Sequence, residues 1–257
     1  MRIERVLAAN PGPFTGPGTN TWLVDDDRGR VAVIDPGPVD DVHLQRILDR
    51  LDGREATAVL VTHTHPDHAP LANRLAHELD VPAIGYAPGP EFDPDLIVAG
   101  GATLQVGQLR LIVVFTPGHS DDHLCFRAGD VLFTGDHIMG GSSVMVEDMG
   151  RYLDSLSKLS RTGLTRLYPG HGDEMDQPDQ VIDWYIAHRR QRHEQIYEAV
   201  FAGASTTADI VELVYADVDR SLHPLAARSV DAHLELLREE GRIALSPTGA
   251  VSVPPRP

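Results

Sequence analysis

The stretch Val59–Pro70, VLVTHTHPDHAP, puts His63, His65, Asp67 and His68 within six residues, directly after an apolar run. Four metal-binding side chains packed this tightly cost stability unless they share a task. Three other apolar runs end in the same way. VVFTPGHS delivers His119, VLFTGDHI delivers Asp136, and RLYPGHGD delivers His171. Each of those three turns carries a glycine, whose backbone freedom aims the next side chain into a shared space. Strand ends of layered α/β folds are where binding groups converge.

Seven ligands are too many for one tetrahedral zinc and fit two metals with a shared carboxylate. Imidazole and carboxylate without thiolate suit zinc first, with iron or manganese as alternatives. Two metals about 3.5–4 Å apart can deprotonate a bridging water at neutral pH and polarise the group under attack. The chemistry expected is hydrolysis by metal-activated water, with Asp67 as the catalytic carboxylate that orients the nucleophile. Pro66 and Asp67 are expected to begin a helix running to Leu79, its amide end favouring nearby negative charge.

Around these turns, the pattern predicts strands at 3–8, 21–25, 31–34, 58–62, 109–115, 123–127, 131–134 and 166–168. It predicts helices at 40–51, 66–79 and 149–160. Hairpin turns mixed with strand–helix alternation point to an α/β layered fold with mixed sheets. Near Asp179 the composition changes. A long helix carrying HRRQRHEQI is followed by two shorter ones, the first opened by a Ser/Thr cap, and by a hairpin around a Pro–Gly turn. The division expected is a catalytic domain at 1–177 and a winged-helix-like domain at 178–257. Arg189, Arg190 and Arg192 read as a solvated face paired with acids such as Glu194, and Tyr197, Phe201 and Tyr215 as core.

The chain has 257 residues, 42% hydrophobic and 23% charged, an ordinary globular composition. A net charge of −16 repels polyanions, so RNA is a disfavoured partner. No apolar stretch approaches the ~20 residues of a membrane span. The start lacks a secretory pattern, and one cysteine, Cys125, cannot form an internal disulfide; the expected location is cytoplasmic. Cys125 reads as a small buried hydrophobe.

His-x-His-x-Asp-His followed by GHS, GD and GHG resembles the metallo-β-lactamase superfamily over about Asn20 to Gly172. NPGPFTGPGTNTWLV, TPGHSDDHLCF, YPGHG, WYIAHRRQR and the winged-helix-like tail narrow the likeness to its beta-lactamase-like protein 2 group. The resemblance implies an αββα sandwich with a binuclear site at one edge of two sheets and a small C-terminal domain. It implies one metal on His63, His65 and His119, a second on Asp67, His68 and His171, and Asp136 as bridge. Class B β-lactamases of the main subgroup carry cysteine where this chain has Asp136, so antibiotic hydrolysis is not the expected role. Some members of the wider group cut single-stranded RNA, and similar fungal proteins hydrolyse acyl thioesters.

The function expected is therefore a two-zinc hydrolase of a small ester or acyl thioester. An endoribonuclease for single-stranded RNA is the alternative, and a mononuclear iron oxidoreductase resembling persulfide dioxygenases ranks below it. A non-catalytic binding protein ranks last, because no ligand is missing. His123 and His137 are candidate proton donors to a leaving group or packing residues beside the ligands. Ser120, Asp121 and Asp122 either fix imidazole tautomers or shape a turn. Asn20 and Thr19 either line the cleft, as in similar proteins, or simply begin a strand.

Overall fold

The computed structural model describes residues 1–140, 144–246 and 249–254. Six strands form one sheet in sequence order: β1 (Arg2–Leu7), β2 (Asn20–Asp25), β3 (Arg30–Ile34), β4 (Glu55–Leu60), β5 (Ala83–Gly85) and β6 (Leu96–Ile97). The first two pairings are antiparallel and the last three parallel. Parallel pairing requires crossovers. α1 (Asp41–Leu51) and α2 (Ala72–Leu79) supply two of them. α1 starts where the Asp40 carboxylate accepts the Val42 and His43 N–H groups, and it stops at Asp52 in the left-handed region.

The second sheet contains β7 (Thr103–Val106), β8 (Leu109–Phe115), β9 (Leu124–Ala128), β10 (Val131–Gly135), β11 (Arg166–Pro169) and β12 (Met175–Asp176). Only β10 and β11 pair in parallel. α3 (Met149–Leu159) lies between them in sequence. Both faces of β2 and β3 are apolar, and each face has its own partner. Trp22, Val24 and Ile34 pack against Leu111, Val113, Phe126 and Phe133 of the second sheet. Leu23, Val31 and Val33 pack instead against Leu44, Ile47 and Leu75 of the helices. The strict alternation of period two is what stacks helix, sheet and sheet in layers.

The rest of the chain forms α4 (Pro178–Phe201), α5 (Thr207–Val214), α6 (His223–Glu239) and a hairpin of β13 (Ala244–Leu245) and β14 (Val251–Ser252). Thr206 and Asp209 close a reciprocal capping box on α5, as the Ser/Thr signal predicts. In the expected Pro–Gly turn, Pro247 and Thr248 lie outside the described residues. The chain divides into two compact units, one with both large sheets, α1 and α2, the other with α3 and the chain from Gln180 onward. Among the described residues no helix is long and apolar enough to cross a membrane.

Three expectations need correction. The helix predicted from Pro66 begins only at Ala72. His68 and Ala69 donate to the His65 carbonyl in a single turn, Pro70 has no N–H to continue it, and Leu71 donates across to Gly37. The arginine segment is only partly a solvated face: Arg190 is exposed as expected, but Arg189 and Arg192 are not. Arg189 is 3% exposed, with its guanidinium 5.5 Å from the Tyr152 ring. Arg192 lies over Tyr215 at 4.3 Å, and Glu194 pairs with Arg242 instead. Phe201, at the last turn of α4, is 66% exposed and not core, while Tyr197 and Tyr215 are half-buried.

Candidate metal centre

β4, β10 and β11 each hand the chain to a turn carrying the expected ligands. The Val61 N–H still bonds the Ile84 carbonyl, so the strand geometry persists almost to His63. Gly170 donates to the Gly135 carbonyl, tying the ends of β10 and β11 together, and Asn20 donates to Gly170 from the other sheet. The glycines in these turns are sterically required. A Cβ at Gly170 would lie 2.5 Å from Asp136 Oδ1 and 2.6 Å from His68 Cε1. At Gly135, where φ is +48°, it would meet Thr62 Oγ1 at 2.7 Å and His123 Nε2 at 2.8 Å.

Within the first unit, five of the expected ligands fall into two overlapping groups. His63, His68 and Asp136 form one, and Asp67, His68 and His171 the other; His119 belongs to the second unit. Within each group one donor atom per residue lies within 4.8 Å of the others. His68 Nε2 is 3.2 Å from His171 Nε2, and His63 Nε2 is 2.9 Å from His65 Nδ1. Asp136 divides its oxygens, Oδ1 at 3.3 Å from His68 Nε2 and Oδ2 at 3.3 Å from His171 Nε2. Asp67 Oδ2 is 3.1 Å from His171 Nε2.

The outer nitrogens of four rings are anchored. His68 Nδ1 meets Asp35 Oδ2 at 3.0 Å, His119 Nδ1 the Met145 carbonyl at 2.7 Å, and His171 Nδ1 the Gly18 carbonyl at 3.2 Å. Thr62 Oγ1 donates to Asp35 at 2.7 Å, so its lone pair accepts from His63 Nδ1 at 3.0 Å. Carbonyl and carboxylate oxygens only accept, so these Nδ1 atoms carry the protons and the Nε2 lone pairs are left for a cation.

Charge points the same way. Burial opposes protonation of His68, yet the carboxylates of Asp136, Asp35 and Asp67 raise its pKa well above the usual imidazole value. Burial likewise opposes charge on His171, but hydrogen bonds to the Asp136 and Asp67 carboxylates push it up to about 9. Burial would raise Asp136, and the imidazoles of His68 and His171 overcome it, holding the carboxyl well below its ordinary range. A buried carboxylate set that demands positive charge, faced by fixed Nε2 lone pairs, fits divalent metal.

The neighbouring residues take distinct places. Asn20 is buried and donates from Nδ2 to the Pro169 and Gly172 carbonyls, bracing the His171 turn. Thr19 forms an isolated bridge with His171. Asp122 accepts the Thr64 N–H and hydroxyl at 2.9 and 2.7 Å, fixing the backbone between His63 and His65. His123 is fully buried, its Nε2 accepting the Asp136 N–H at 3.2 Å and its Nδ1 2.9 Å from Thr116 Oγ1. His137 and Ser120 are buried and Asp121 exposed. Cys125 is buried, and burial pushes its thiol up to about 12.

Sequence reasoning missed Asp35 and Thr62, the anchors of His68 and His63. The signal for Asp35 was there: VAVIDPG is another apolar strand ending in an acid before a glycine turn. Its φ of +50° is uncommon outside glycine, asparagine and aspartate.

Comparison with known proteins fits this arrangement. The family profile described as metallo-beta-lactamase superfamily matches residues 14–107 and 85–171, and the beta-lactamase associated winged helix domain matches residues 206–248. A Drosophila melanogaster beta-lactamase-like protein 2 homolog is 31% identical over 95% of this chain and 90% of its own length. A protein of Emericella nidulans named thioesterase pkgB is 36% identical over 76% of this chain and 58% of its own. In fold, the chain is similar to a Thermus thermophilus metallo-beta-lactamase family protein, TM-score 0.82 at 22% identity, with 98% of each chain covered. Such relatives are consistent with a metal-dependent hydrolase, and the histidine and aspartate groups could hold its metal. Layered sheets, strand-end ligands and the helical tail thus come together: the chain belongs to the metallo-beta-lactamase superfamily and carries that superfamily's associated winged helix domain.

Proposed function

We propose that the protein is a binuclear, zinc-dependent hydrolase of a small ester or acyl thioester, working in the cytoplasm. The observation that carries the reading is the pair of overlapping donor groups, His63, His68 and Asp136 with Asp67, His68 and His171, which share His68. In this reading His63, His65 and His119 would hold one cation, Asp67, His68 and His171 the other, and Asp136 would serve both. Residues 1–177 form the hydrolytic domain and 178–257 the winged-helix-like appendage. The thioesterase name of the Emericella relative supports the substrate class.

Bound divalent cations supply Lewis acidity and a water of lowered pKa. The chain supplies the rest. Asp35 and Thr62 hold His68 and His63 in the tautomer that faces inward. Among the carboxylates around His68, Asp67 is the most open, its side chain 26% exposed against 9% for Asp136 and 2% for Asp35. Asp67 orients the attacking water and accepts its proton at Oδ1. A thiolate leaves without protonation, so a thioester needs no acid from the chain. That agrees with buried His123, whose Nε2 is used in holding the Asp136 backbone.

Single-stranded RNA is the competing substrate, favoured by the winged helix domain. Against it stand the charge of −16 and two of the segment's three arginines, Arg189 and Arg192, turned onto tyrosines. The test is metal quantification with parallel assays on an acyl thioester and single-stranded RNA. Two zinc equivalents and chelator-sensitive thioester cleavage are expected. One iron with oxygen uptake sinks the reading. Chelator-sensitive, salt-dependent RNA cleavage that is lost in Asp67→Ala replaces its substrate.

A further inference from the structure

Two aromatic rings from different sheets stack beside the histidine turn. Tyr86 follows β5 and Phe115 ends β8. Their centroids are 4.6 Å apart and their planes 10° from parallel. Both are half-buried against the inter-sheet core. Short paths join each to the metal centre. Tyr86 opens the turn that carries Gly89, where a Cβ would meet Thr64 Cβ at 2.5 Å. Thr64 is the residue between His63 and His65. Phe115 leads into Thr116, which bonds His123 at 2.9 Å, and the His123 ring lies 5.1 Å from that of His63.

Apolar surface continues outward from the pair. Val98 is half-buried on the same core, and its N–H bonds the Gly85 carbonyl beside Tyr86. Next to it, Leu96 is 52% and Ile97 66% exposed on β6, at the edge of the first sheet. Two aliphatic side chains on an open edge invite association, and edges are ordinarily protected by charge or proline. Leu96 pairs with Ile84 of the inter-sheet core and so shares a face with Val98, whereas Ile97 pairs with Gly85 and faces the helix side. A cleft wall that must meet apolar substrate gives Leu96 a purpose.

We propose that this strip, the Tyr86–Phe115 stack continued by Val98 and Leu96, receives the aliphatic acyl chain of a thioester cleaved at the metal centre. The inference rests on the hydrolase reading above and adds the substrate class: medium-length saturated acyl groups in preference to acetyl. Flat rings and branched aliphatic side chains offer area without hydrogen-bonding demands, which suits a methylene chain and no polar group. Each methylene fully buried contributes up to about fourfold in kcat/KM. For a chain lying on a half-open strip, roughly 100-fold between acetyl and octanoyl is expected. The strip meets the unreacting end of the substrate, so part of the effect falls on KM.

The experiment is steady-state hydrolysis of acetyl-, butanoyl- and octanoyl-coenzyme A by the metal-loaded full chain, with Tyr86→Ala, Leu96→Asp and Ile97→Asp alongside. Rising kcat/KM with chain length is expected; Tyr86→Ala and Leu96→Asp each lower the octanoyl-to-acetyl ratio about tenfold or more, Ile97→Asp on the opposite face leaves it unchanged, and metal content stays constant in all three. Leu96 is exposed, so its variant reads the strip even if Tyr86→Ala fails to fold. Equal kcat/KM for all three substrates, or a ratio that Leu96→Asp lowers no more than Ile97→Asp does, overturns the strip and leaves the hydrolase reading standing. A dimer that Leu96→Asp dissociates without changing the ratio makes a second copy the occupant and likewise overturns it. No hydrolysis of any thioester removes the hydrolase reading and the strip together.

Discussion

Among the described residues two buried histidine clusters stand apart, and carboxylates gather around only one. At the strand ends, His63, His68 and His171 lie among Asp35, Asp67 and Asp136, and protonation of His68 and His171 is favoured. On α4 and α6, His193 Nδ1 meets His233 Nδ1 at 3.2 Å, and His193 Nε2 meets Glu240 at 3.0 Å. There burial, His193, Arg189 and Arg192 push His233 down to about 3. Burial and the same two arginines lower His188. Among the described residues no set of metal donors forms around that pair. Histidine density is common to HTHPDH and HRRQRH; what differs is the sign of the charge around the rings.

The comparison breaks if the first cluster keeps its properties without its carboxylates. Asp136→Ala removes the group placed between His68 and His171, and His65→Ala removes the ring beside His63. Each is expected to lose bound metal and reduce turnover to background while the far-ultraviolet circular dichroism stays that of the folded protein. Full activity in either variant removes that residue from the site. Asp35→Asn is the subtler case. It keeps the shape but loses the charge holding His68 Nδ1, and a fall of about 10–100-fold in metal affinity is expected. Unchanged affinity by competition titration makes Asp35 a folding residue only.

The strand-end histidine and aspartate cluster was legible in sequence for a physical reason. Each ligand follows an apolar run and a tight turn, so strand, turn and donor are read together, as in VLFTGDHI. Trp22, Val24 and Ile34 against Leu23 and Val33 were legible as strands but not as two-faced, because a continuous apolar run does not say which partner each face meets. Four short strands, β5, β6, β7 and β12, went unread; two to four residues carry no period of their own. Pro66 misled because it can open a helix, and the decisive facts were Pro70 and the Leu71–Gly37 hydrogen bond, which no local pattern reveals. Arg189 and Arg192 looked like surface because their tyrosine partners come from other elements.

Removing metal sharpens the comparison through pH. In the chelated protein His171 has a folded pKa of about 9, above the ordinary imidazole value near 6.5. Between those values the folded state holds more protons than the unfolded one. Its stabilising contribution is complete below about pH 6.5 and is lost as pH rises through about 9. The Tm of metal-free protein is expected to fall across that window, whereas metal-loaded protein, with the ring nitrogens engaged, stays flat. Parallel alkaline slopes in the two forms, followed by differential scanning calorimetry, remove the carboxylate field as the cause.

The smallest effect belongs to His233, and its sign is opposite. A folded pKa of about 3, below the ordinary value, means the unfolded chain binds the extra proton between roughly pH 6.5 and 3. The contribution is therefore present above about pH 6.5 and lost as pH falls toward 3. Carboxylates titrate in the same range, so the readout is the difference between wild type and His233→Gln. The variant is expected to be less stable at pH 7 by roughly 2–4 °C in Tm and to lose less on acidification. Glutamine still hydrogen-bonds His193 but cannot take up the proton, so a change in acid slope separates titration from packing. Identical slopes would mean that the arginines do not govern this ring, and the electrostatic contrast between the two clusters would then rest on the strand-end site alone.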